Sequence, residues 1–138
     1  MKFLDANVFV YAYAKPKRSL TEEEKKIKKK AKEIIERVNK GERVITTVVH
    51  LSEVANIIEK SVPMTIISKL LKGILSMENI KVLDVSREDY LAATDAAPSQ
   101  GLGINDALAV IKMRGTDVSE IYSFDRHFDG IEGVTRVE

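Results

Sequence analysis

Four acidic residues stand out by their surroundings. Asp5 ends the apolar run Phe3-Leu4, Asp106 follows Asn105 ahead of Ala107 and Leu108, and Asp125 follows Tyr122-Ser123-Phe124. Glu53 has Val49, His50, Asn56 and Ile57 as its helical neighbours, three and four positions away. An ionisable group in such company costs free energy unless it is paired, protonated or ligated. Taken singly, each acid has a structural reading: a helix cap for Asp5 and Asp125, a complement to a helix dipole for Asp106, and a lysine or arginine partner for Glu53. Taken together they are a set of oxygen donors, which is what a hard divalent cation such as Mg²⁺ or Mn²⁺ requires. Other chemistry finds little support. With no cysteine there is no thiolate metal site and no cysteine nucleophile. The chain lacks GxxxxGK[ST], GxGxxG, GxSxG and HExxH. His127 reads as a surface residue, and His50 as a packed or surface one with an outside claim to support Glu53.

The elements that must position these acids follow from periodicity. Residues 2 to 5 read as a buried strand, and Asp5-Ala6-Asn7 turns into a short helix that must end near Lys15-Pro16. Thr21-Glu22-Glu23-Glu24 is a capping-box pattern. Ile27, Ala31, Ile34, Ile35 and Val38 give the helix that follows one apolar stripe, closed by Gly41. Arg43 to Thr46 is a second strand. Val48 to Ser61 is apolar on most sides and predicts a largely buried helix, broken at Val62-Pro63. Ile66 to Leu75 is another amphipathic helix, and Ile80 to Val85 a third strand. Ser86 caps a helix running to about Ala97, Pro98 to Gly103 reads as the clearest loop, and Asn105 as the N-cap of a helix that stops at Gly115. Ser119 to Phe124 and Val134 to Val137 complete five strands.

Strands separated by helices of this length imply a single α/β domain over residues 1 to 138, with three layers and a central parallel sheet. In such sheets the ligand crevice lies beyond the carboxyl ends of the strands, at a switch point in strand order. Asp5 and Asp125 both fall at that edge. Helix caps have no reason to converge there, and ligands to a cation do.

The charge is +1 overall, from 22 Lys+Arg against 21 Asp+Glu, but it is unevenly spread. Residues 15 to 43 hold twelve basic and six acidic residues, whereas residues 44 to 138 hold nine and fourteen. Lys25, Lys26, Lys28, Lys29, Lys30 and Lys32 pass more than once around their helix, so they cannot all face one ligand. Some of them border a polyanion, or all of them only solvate the helix. The lack of cysteine and of any bilayer-spanning apolar run suggests a soluble, cytoplasmic protein.

Phe3-Leu4-Asp5-Ala6-Asn7-Val8, Leu51-Ser52-Glu53-Val54, Asn105-Asp106-Ala107-Leu108 and Ser123-Phe124-Asp125-Arg126-His127-Phe128 resemble, in order and spacing, the four acidic motifs of PIN-domain ribonucleases. In size the chain is most similar to the VapC toxins of VapBC toxin–antitoxin pairs. The resemblance implies a parallel five-stranded sheet, dependence on Mg²⁺ or Mn²⁺, endonucleolytic cleavage of RNA, a homodimer and inhibition by a small VapB-type antitoxin. It assigns Asp5, Glu53, Asp106 and Asp125 to the family's catalytic, metal-holding acids. Asn7 matches the polar position two residues after the first acid, Asp129 an accessory acid of some members, and Ser123 joins them as an accessory residue. Bare PIN domains also serve in RNA processing. A phosphoryl-handling enzyme of haloacid-dehalogenase or receiver type would instead need an acid where Asn7 stands, or a lysine near Ser123 to Asp125. A non-catalytic binding module would have no use for an intact acid set.

Overall fold

The computed structural model describes all residues from 1 to 138. Its sheet has five parallel strands in the order β3-β2-β1-β4-β5: β1 (Lys2–Leu4), β2 (Val44–Thr47), β3 (Ile80–Leu83), β4 (Glu120–Tyr122) and β5 (Thr135–Val137). The chain builds outward from β1 to β3, then returns to place β4 on the other side of β1. The strand order therefore reverses between β1 and β4. Six helices cover the sheet: α1 (Ala6–Tyr13), α2 (Glu22–Asn39), α3 (Val48–Ile58), α4 (Met64–Ser76), α5 (Arg87–Gln100) and α6 (Ile104–Gly115).

Alternation along the short strands divides the core in two. Leu4, Val44 and Tyr122 pack with Phe9, Ile34 and Ile58 in the layer of α1 to α4. Phe3, Ile45 and Ile121 pack with Leu108, Met113 and Phe128 in the layer of α5 and α6. No helix is long and apolar enough to cross a membrane.

The α2 capping box forms as expected, with the Thr21 side chain accepting from Glu24 N–H and the Glu24 carboxylate accepting from Thr21 N–H. Other expectations need correction. Four strands are shorter than expected and β2 is shifted by one residue, to Val44–Thr47; after Leu4 and Tyr122 the next residue still donates its N–H across the sheet, Asp5 to Tyr122 and Ser123 to Val137, before the chain turns away. The α3 helix is buried on one face only. It packs mainly on α1, β2 and α4, and Val48 and Ile57 on its other side stay exposed despite being apolar. Residues 98 to 100 are not loop: Pro98 lies inside the last turn of α5. The termination comes at Gly101, whose left-handed φ of 66° lets its N–H and that of Leu102 turn back onto the Ala97 carbonyl. Gly103, not Asn105, is the N-cap of α6, which frees the Asn105 side chain for other work.

Candidate active site

Asp5 is 3% exposed and caps α1: Ala6 N–H donates to its Oδ1 at 2.8 Å. Its Oδ2 accepts from the Ser123 hydroxyl at 2.7 Å, a bond between residues 118 positions apart that ties the end of β1 to the end of β4. The Ser123 oxygen also accepts from Asn7 Nδ2 at 3.2 Å and from Asp125 N–H at 3.0 Å, and Phe124 N–H reaches Asn7 Oδ1 at 3.4 Å. Ser123 and Asn7 thus lock two of the acids to one another. Ser123 is fully buried, and Asn7 is partly so.

Asp125 caps the single 3-10 turn Arg126–Phe128, which Phe128 anchors in the core. It accepts from His127 N–H at 2.9 Å and lies 2.6 Å from His127 Nδ1, which must carry a proton to sit so close to a carboxylate. Asp106 projects from the first turn of α6. Glu53 on α3 is half-buried, less enclosed than its apolar neighbours suggested, and accepts from Asn105 Nδ2 at 2.9 Å. The structure brings these four acids to one edge, at the strand-order reversal.

The electrostatics record their proximity. Burial pushes the Asp5 carboxyl up to about 6 against the lowering effect of its bonds to Ser123 and Ala6, and the charges of Glu53 and Asp125 add to the rise. Burial, followed by the charges of Asp5, Asp125 and Glu53, pushes Asp106 up to about 7. Asp125 goes the other way. Burial alone would raise it, but the backbone N–H and imidazole of His127 outweigh burial and hold it below the usual carboxylate value. One pair of acids is therefore partly protonated near neutrality beside an acid that stays ionised. Asp5, Glu53 and Asp106 make no ion pair with any lysine or arginine, and Asp125 pairs only with His127. That uncompensated negative charge fits a divalent cation, although no three of the acids close into a finished cage of ligand atoms.

Asp129 stands apart. Arg136 holds it through Nε at 2.9 Å and Nη2 at 3.3 Å, so its charge is neutralised on the protein's own terms. His50 is packed, as expected. It is fully buried, edge-on to Phe3, and hydrogen-bonded through Nδ1 to Thr47 at 2.7 Å. Burial pushes it down to about 4, so it is neutral beneath the acidic edge; its Nε2 faces the Asn105 carbonyl without closing a hydrogen bond. The residue that sequence reasoning missed is Asn105. Its role depends on α6 starting two residues earlier than expected, and no local spacing relates it to Glu53.

Fold and site together define an α/β protein with an acidic crevice at the switch point of a parallel sheet. The PIN domain family model matches residues 2 to 134, and the chain belongs to the PIN domain family. PIN domains are generally nucleases that use divalent metals such as Mg²⁺ or Mn²⁺, so the fold is that of a metal-dependent nuclease. A comparison with curated proteins finds no match.

Proposed function

We propose that this chain is a Mg²⁺- or Mn²⁺-dependent endoribonuclease whose reaction is carried by Asp5, Glu53, Asp106 and Asp125. The observation that supports this most is the convergence of Asp5, Glu53 and Asp106 at the β1/β4 edge without any lysine or arginine to balance them. Asp5, Asp106 and Asp125 would hold the ion, with Glu53 as a fourth ligand or as the group that orients the attacking water. When bound, the ion supplies an activated water and neutralises charge on the scissile phosphate. The protein supplies the rest. Ala6 N–H and the Ser123 hydroxyl hold Asp5 in one orientation, and His127 keeps Asp125 ionised. Asn105 aims one oxygen of Glu53. Protons on Asp5 and Asp106 must leave before an ion enters, so metal affinity rises with pH until both are ionised.

The VapC-type reading extends this proposal: a homodimeric toxin restrained by a small antitoxin. Exposed Ile57, Met64, Ile66 and Leu75 on α3 and α4 give it apolar surface to offer a partner. A PIN nuclease of RNA processing is the second reading of the same site. A haloacid-dehalogenase or receiver-type phosphoryl carrier is disfavoured, because Asn7 is committed to Ser123 and Phe124 and no lysine approaches Asp5.

The test is incubation of the purified protein with structured RNAs in Mn²⁺ or EDTA, beside the Asp5→Asn variant. Cleavage that needs both the ion and Asp5 is expected. Cleavage that survives EDTA or Asp5→Asn contradicts the proposal.

A further inference from the structure

A depression of about 330 Å³ adjoins the acids on the α5/α6 side, lined by Glu53, Tyr90, Gly103, Ile104, Asn105 and Asp106. Two of its six lining residues, Glu53 and Asp106, belong to the proposed reaction centre, so a group that fills it lies beside that centre. The remaining wall is chemically different. Tyr90 is 40% exposed and Ile104 is 38% exposed, an aromatic ring and a branched aliphatic chain left facing solvent next to carboxylates. Gly103 adds no side chain, and a methyl group built there would stand 3.8 Å from Asp106 Oδ2, on the floor of the depression.

The Tyr90 ring is held in position. Its hydroxyl donates to Asn105 Oδ1 at 3.4 Å, while the other end of the same amide donates to Glu53 at 2.9 Å. The preceding residue, Asp89, is fixed twice: by the capping box with Ser86 and by Lys112 of α6 at 2.6 Å. Tyr90 therefore rides on an α5/α6 pair that is locked together. A phosphate has no use for an apolar wall beside two acids. A flat, neutral, polarisable group does, and in a nucleic acid that group is the base.

Resting on the nuclease reading above, we propose that the depression is a subsite for one unpaired nucleobase flanking the scissile phosphate, with Tyr90 as its stacking platform and Ile104 as its apolar wall. Tyr90 is then a specificity-determining residue: it favours cleavage where a base is free to leave its stack.

The experiment scans a single abasic nucleotide through a cleavable single-stranded oligoribonucleotide, using wild-type protein, Tyr90→Ala and Tyr90→Phe in Mn²⁺. In the wild type, an abasic site at one position beside the cut should raise KM about tenfold with kcat little changed, the range expected for loss of one base–aromatic stack. Tyr90→Ala should raise KM similarly on the intact oligonucleotide and lose its sensitivity to that one abasic position, while Tyr90→Phe keeps both. Unchanged melting temperatures separate these effects from misfolding, and Ile104→Ala offers a second, smaller probe of the same wall. Cleavage in which no abasic position couples to Tyr90 overturns the subsite and leaves the nuclease reading standing. Absence of any metal-dependent cleavage overturns both.

Discussion

The protein has two charge-dense regions that handle charge in opposite ways. Along α2, several charges find a partner on the surface: Arg18 with Glu24 at 2.6 Å, Lys25 with Glu22 at 3.2 Å, Lys40 with Glu36 at 2.9 Å and Lys30 with Glu138 at 3.0 Å. Lys28 is spent on the backbone, donating to the carbonyls of Tyr11 and Ala14 and so closing the end of α1. At the β1/β4 edge the acids meet no such answer. Charges matched on an exposed helix need no ligand, whereas clustered carboxylates without a cationic side chain hold on to protons, as Asp5 and Asp106 do, and leave room for a cation to take the protons' place.

The contrast can be broken at several points. The largest effect is expected from Asp5→Asn, which should reduce metal-dependent RNA cleavage by at least about a hundredfold, the loss of a few kcal/mol of transition-state stabilisation. Retained activity would mean that the buried carboxylate serves only as the α1 cap.

Next comes pH. Asp5 and Asp106 hold protons in the folded chain at pH values where the unfolded chain has released them. Without metal, the stability they contribute is complete below about pH 4 and is lost as the pH rises to about 7. Asp106→Asn removes part of that loss, so the metal-free variant should melt above the wild type at pH 8, with a smaller difference at pH 5. A variant that melts lower at pH 8 would show the edge to be already compensated.

A smaller effect is expected at α2. Lys29 and Lys32 are exposed and line an open basic depression, which Lys28 also borders although its ammonium is turned onto the backbone. Neutralising both should lower the salt slope of RNA binding by about 1.4, as two lost phosphate contacts would. An unchanged slope means that they only solvate the helix. The smallest effect belongs to Glu36→Gln, which breaks a fully exposed pair with Lys40 and should leave both melting and cleavage unaltered.

Much of this was legible in the residues because it is local. Apolar periodicity marks α2 and α4, an apolar run marks α3, the Ser86 cap marks α5, short apolar runs mark the strands, and the Thr21–Glu24 box announces the start of α2. The acids are legible because strand ends in a parallel sheet share an edge, which puts Asp5 and Asp125 together from the sequence alone. What the residues hid depends on tertiary contact. Pro98 suggests a loop, yet the packing of α5 on α6 carries the helix past it to Gly101. Glu53 looks buried from its neighbours, but the outer side of α3 is uncovered. Asn105 looks like a cap, and only the true start of α6 at Gly103 turns its amide toward Glu53 and Tyr90. His127 reads as an ordinary surface residue until its ring is seen against Asp125. Lys28 is one lysine among many until α1 ends beneath it.

The most direct measurement of the central claim is the melting temperature with and without saturating Mn²⁺, at pH 5 and pH 8, for the wild type and Asp106→Asn. A rise of roughly 5 to 10 °C is expected in the wild type at pH 8 when Mn²⁺ exceeds its Kd about a hundredfold, with a smaller rise at pH 5 and little or none in Asp106→Asn. A wild type indifferent to Mn²⁺ at pH 8, or a variant stabilised as much as the wild type, would contradict it.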